Sequence, residues 1–204
     1  MSRRGNKQAI SMRARIAAAA ARIMAEDGID DFGLAKRKAA RTLGAAQTES
    51  LPGNDEVEAE LRAYRALYQP EEHADRIAEL RSFALEAMSA LQEFRPYLTG
   101  PVLKGIAGPY SEIDLQLFPE SSKAVELFLL ERNIPFNTHE ARRYSGDRVH
   151  AVSVFSLLWR DTPVRLSVFD PRDERISLKT SQSGRAAERA GLAEVAALLQ
   201  GSGS

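Results

Sequence analysis

The hydrophobic period of this chain changes once, at Pro96, and that change limits the folds open to it. Before it, apolar residues recur at intervals of three and four, the repeat that lines one side of an α-helix. Ser11 is placed to cap a helix carrying Met12, Ile16, Ala19, Ala20, Ile23 and Met24, which Gly28 stops. Asp30 or Asp31 caps a second, from about Phe32 to Leu43. Leu51-Pro52-Gly53-Asn54 breaks the chain, and Val57, Leu61, Tyr64 and Tyr68 mark a third. A fourth starts near Glu71 and keeps an apolar stripe from Ile77 to Phe94.

After Pro96 apolar and polar residues alternate, as in strands with one face buried. Tyr97 to Thr99 and Ser111 to Phe118 read as strands around a glycine loop, followed by a helix from Ser121 or Ser122 to about Asn133. Three β-rich runs come next: Pro135 to Tyr144, Val149 to Arg160 and Val164 to Phe169. Ser145-Gly146-Asp147 and Asp161-Thr162-Pro163 are the turns expected between them. A last helix is expected from about Arg185 to Leu199. The expected class is α+β: a helical N-terminal module over 1–96, a mixed sheet with flanking helices over 97–200, and a flexible tail, 201–204.

Within this frame the strand after the glycine loop carries the chemistry. Ile113, Leu115 and Leu117 fall on one face, and Glu112, Asp114 and Gln116 on the other, so two carboxylates project side by side. Gly100, Gly105 and Gly108 precede them in a loop whose backbone can approach a ligand closely. Paired acids behind such a loop suggest phosphate and a hard metal ion.

This segment resembles the nucleotidyltransferase superfamily typified by DNA polymerase beta. Its signature is an apolar residue, Gly, Gly or Ser, about ten residues, then acid-apolar-acid. Here Leu98 and Thr99 precede Gly100, and Glu112-Ile113-Asp114 follows. Pro101 stands where the family usually has Ser, and Glu112 where it usually has Asp. The resemblance implies transfer of a nucleoside monophosphate from an NTP to an acceptor, RNA or protein among the candidates. Glu112 and Asp114 would be the catalytic carboxylates holding Mg2+. Gly100, Lys104, Gly105, Ser111 and Arg165 would contact nucleotide. A third carboxylate is expected from the adjacent strand, but Arg165 and Ser167 are the residues whose parity faces the acids there. A member that keeps the fold as a binding scaffold for nucleotide, nucleic acid or protein is therefore the alternative.

Of 204 residues, 28 are Lys or Arg and 28 Asp or Glu, so no overall field draws nucleic acid. Basic residues concentrate in residues 1–50, and Lys36, Arg37, Lys38 and Arg41 give the second helix a face that could contact nucleic acid. Residues 13–44 are weakly similar to the first helices of TetR-like regulators, which leaves a helical DNA-binding regulator as a further alternative. A groove-reading helix should then follow a tight turn, yet Ala45 to Asn54 is a polar loop leading to an acidic helix. Cysteine is absent, which excludes disulfides and thiolate zinc sites. Arg13, Arg15 and Arg22 interrupt the apolar N-terminal run, so a membrane span is not expected and the expected location is cytoplasmic.

Overall fold

The computed structural model describes residues 3–48, 50–68, 70–145, 148–176, 179 and 187–201. Its elements in chain order are α1 (Arg3–Asp27), α2 (Phe32–Thr42), α3 (Asn54–Tyr68), α4 (Pro70–Ala90), β1 (Tyr97–Thr99), α5 (Gly100–Lys104), β2 (Ile113–Leu117), α6 (Ser122–Glu131), β3 (Phe136–Ser145), β4 (Arg148–Trp159), β5 (Thr162–Val168) and α7 (Leu192–Gly201). The class is α+β, with α1 to α4 preceding the first strand. Backbone proximity divides the chain into two compact units, residues 1–75 with 105–111, and residues 76–104 with 112–204.

In the first unit α1, α2 and α3 meet through small side chains. Ala17, Ala20, Ala21 and Ala25 of α1 and Ala35, Ala39 and Ala40 of α2 are buried around Ile16, Met24, Val57, Leu61 and Ile106. Alanine at the contact lets helix axes approach closely and costs little side-chain entropy. Asp31 caps α2, its Oδ1 accepting from the Leu34 amide at 2.6 Å. Glu56 does the same service for α3 from inside the helix, accepting from the Gly53 amide at 2.6 Å and from Arg13 of α1.

In the second unit the five strands form one sheet in the order β1-β2-β5-β4-β3. β2 and β5 are parallel, and the other neighbours are antiparallel. Alternation sends Ile113, Leu115 and Leu117 of β2 and Val164, Leu166 and Val168 of β5 into the core. Leu80, Ala84 and Met88 of α4 and Val125, Phe128 and Leu129 of α6 are also buried in this unit. The opposite sheet face carries Asp114, Gln116, Arg165 and Ser167, with a small cluster of Phe118, Val152, Val154 and Phe169 beside them.

Several boundaries differ from the expected ones, each for a local reason. Gly100–Lys104 is a short helix, so the glycine loop is confined to the residues after it. The turn joining β4 to β5 is Arg160-Asp161, both at positive φ (46° and 63°), the two-residue type I′ geometry, and Thr162 and Pro163 belong to the strand. α7 starts at Leu192, where Glu194 accepts from the Gly191 amide at 2.7 Å, and Ala190 pairs with Leu98 as a β-bridge. The first part of the helix expected over 185–199, two of the three residues of the expected 145–147 turn and most of the expected tail at 201–204 lie outside the described residues.

Candidate functional site

β2 and β5 run side by side with Asp114 opposite Arg165 and Gln116 opposite Ser167. Because directly paired residues share a face, the guanidinium of Arg165 lies over the two acids. Arg165 donates through Nε to Asp114 Oδ1 at 2.7 Å, and its Nη2 is 2.6 Å from the same oxygen. Nη1 stands 3.5 Å from Glu112 Oε2. The Asp114 side chain is 16% exposed, against 43% for Glu112, so the tighter bond falls to the carboxylate that water reaches less. Burial raises the Asp114 pKa; the charge and hydrogen bonds of Arg165 oppose it, Glu112 adds to the rise, and Arg143 lowers it.

Gly100 explains how the backbone comes so near. It sits at φ +73°, and a Cβ built on it would lie 2.6 Å from Asp114 Oδ2. A side chain there would collide with the carboxylate and strain the backbone. Lys104 closes the short helix α5. In this unit Arg81 donates to the carbonyls of Val102 at 3.2 Å and Leu103 at 2.9 Å, so the C-terminal carbonyls of α5 are capped by a buried guanidinium.

Gly105 and Ser111 belong to the first unit, where the loop is tied down by its own side chains. His73 Nε2 donates to the Gly105 carbonyl at 3.0 Å, which makes it the protonated nitrogen, and burial holds this imidazole below its usual pKa. Arg65, 3% exposed, donates to the carbonyls of Ile106 and Ala107. Ser111 Oγ accepts from the Gly108 amide at 2.7 Å and donates to Asp30 Oδ2 at 2.8 Å. The Gly108 amide is thus already bonded, and the carbonyls of 105–107 face basic side chains.

Other acids of this unit that could supply a third carboxylate lie elsewhere. Asp170 caps the turn Pro171–Arg175, accepting from the Arg172 amide at 2.8 Å. Asp161 is in the β4–β5 turn, and Glu140 is paired with Ser153, a register position on the other sheet face from Asp114. Among the described residues no three acidic or histidine side chains are grouped to hold a metal. A magnesium ion bridging Glu112 and Asp114 would have to displace Arg165, so the donor set as it stands does not fit that ion.

Of the basic positions on α2, Lys36 donates to the Pro52 carbonyl at 3.1 Å and to Asn54 Oδ1 at 2.8 Å. Lys38 pairs with Asp27 at 2.6 Å, while Arg37 and Arg41 are exposed. After α2 the next helix among the described residues is α3, beginning at Asn54.

One residue on the acid face escaped sequence reading. Asn137, His139, Ala141 and Arg143 alternate onto it from β3, and Arg143 is close enough for its charge to be felt by both Arg165 and Asp114. The signal was the parity of β3, but it is readable only once strand order and register are known. Beside Gln116 the same face has a shallow depression bordered by Phe118, Phe169, Asp173 and Arg189.

The chain is thus an α+β protein whose mixed sheet carries an arginine-bridged acid pair. No protein-family model matches it, and no curated protein does. Among the described residues no helix is long and apolar enough to cross a membrane.

Proposed function

We propose that this protein is a nucleotidyltransferase-like scaffold that binds nucleotide without transferring it. The observation that carries the reading is Arg165, bonded to Asp114 and paired with Glu112 where an active member would need a third carboxylate. A guanidinium neutralises the two anions as a metal would, but it can neither activate a hydroxyl nor take up a leaving pyrophosphate. The close fit of Gly100 against Asp114 supports the resemblance itself, because the signature glycine and the second acid meet in space.

The alternative, nucleotidyl transfer to an RNA or protein acceptor, would need Glu112 and Asp114 to hold Mg2+, which the bonds of Arg165 to both acids oppose. Absence of cysteine suits either form to the cytoplasm. A DNA-binding regulator is disfavoured by the internal bonds of Lys36 and Lys38.

Calorimetric titration of ATP, GTP, CTP and UTP, in EDTA and in excess Mg2+, tests this directly. Binding that persists in EDTA, with no pyrophosphate released in the presence of metal, is the expected result. Magnesium-dependent binding that is lost in Asp114→Asn, accompanied by pyrophosphate release, would overturn it in favour of the enzyme.

A further inference from the structure

Pro171-Arg172-Asp173-Glu174-Arg175 forms a short 3-10 helix after β5, and its charges sort by direction. Asp173 accepts from His150 Nδ1 of β4 at 3.1 Å, while Glu174 accepts from the Tyr97 hydroxyl at 2.9 Å and from Arg95 at 2.6 Å. Both carboxylates are thus turned inward and occupied. Side chains three residues apart eclipse each other in a 3-10 helix, so Arg172 and Arg175 share the outer side, where both are exposed. Among the described residues neither guanidinium meets a carboxylate, and Asp170 is taken up by the Arg172 amide at 2.8 Å.

The outer edge of β3 adds two more cations. Lys179 pairs with Tyr144 there, each amide donating to the other's carbonyl at 2.9 Å. Directly paired residues share a face, and alternation returns that face at every second residue, so Lys179, Tyr144 and Arg142 lie together. Arg142 is exposed and Lys179 half-buried, and Glu140 is the exposed acid of the same row. From Arg175 to Lys179 the chain spans at most about 14 Å, and Arg172 is about 6 Å from Arg175 along the 3-10 axis. Four cations against Glu140 therefore stretch over about 20 Å, longer than one phosphate group and comparable with several nucleotides of backbone. The chain as a whole is neutral, so this surplus is local. Three of the four are arginines, whose fork of N–H groups matches a phosphate edge, and neither the 3-10 helix nor the edge strand offers an apolar helix face for a lipid surface.

We propose that this end of the second unit docks the sugar-phosphate backbone of single-stranded nucleic acid, held by Arg142, Arg172, Arg175 and Lys179 without readout of the bases. The surface is separate from the Asp114–Arg165 pair, and the inference does not depend on the nucleotide-binding reading above.

A fluorescein-labelled oligouridylate of about 20 nucleotides, followed by anisotropy as the full chain is added, provides the test. Four phosphate contacts on a single strand predict that affinity rises about twentyfold as salt falls from about 150 to about 50 mM. In the double variant Arg172→Gln with Arg175→Gln the same change in salt yields about fivefold, and adding Arg142→Gln lowers it further. Arg37→Gln with Arg41→Gln, on the exposed side of α2, leaves the wild-type dependence in place. A salt dependence that is unchanged in the Arg172→Gln with Arg175→Gln variant overturns the proposal, and so does one that falls with the α2 pair instead. Failure to bind the oligonucleotide at low salt overturns it as well, whether or not vesicles of anionic phospholipid are bound.

Discussion

Asp114 is held by two opposing influences, burial that favours its protonated form and Arg165 that favours the carboxylate, and its neighbours are shaped to that balance. Gly100 is the clearest case, since its positive φ and its closeness to Oδ2 both exclude a side chain. Gly100→Ala is expected to cost about 1–3 kcal/mol, measured by urea denaturation. Part of that cost is the collision with the carboxylate, so the same substitution made in an Asp114→Ala background should cost less, and a double-mutant cycle that is strictly additive would show that the two do not touch. Arg65 presents the opposite situation, a buried cation that satisfies backbone carbonyls. Arg65→Met leaves the Ile106 and Ala107 carbonyls without their donor, and a loss of about 2–3 kcal/mol is expected in the same measurement.

At the scale of the element, helix starts were legible where a capping side chain is part of a short sequence pattern. Asp31 caps α2 as its position before Phe32 suggests, and Ser121 caps α6 by accepting from the Lys123 amide at 3.2 Å. α3 and α7 use a different device, Gly-x-x-Glu, in which the third helical residue reaches back to the glycine amide. That pattern at Gly191 was present in the sequence and marks the true start of α7, but alanines upstream extend the apparent helical pattern past it. Glu194→Ala and Asp31→Ala should each cost about 1 kcal/mol, with faster amide exchange confined to the first turn of the helix concerned. The hairpin between β4 and β5 shows a similar limit: Pro163 looks like a turn residue, whereas the backbone turns at Arg160-Asp161 and leaves the proline in the strand.

Over the whole molecule the acid limb of stability carries two contributions of opposite sign. Glu56, bonded to Arg13 and the Gly53 amide, has its pKa lowered from 4.5 to about 2. Its stabilisation is present above pH 4.5 and is lost as pH falls toward 2, so Glu56→Gln should flatten the decline in urea midpoint across that window. Asp114 has a raised pKa, so its ionisation weakens the folded state as pH rises through that value, and the stability of Asp114→Asn relative to wild type should improve with rising pH above 3.8. The sequence by itself determined the succession of helices and strands, because hydrophobic period and capping chemistry act over a few neighbouring residues. It also marked Glu112 and Asp114 as a side-by-side pair, since strand alternation needs no partner. Only the tertiary structure decided what those acids face. Strand order put β5 against β2 and register put Arg165 against Asp114, while parity along β3 brought in Arg143. Pairing between residues fifty positions apart is governed by packing of the whole sheet, which no local pattern encodes.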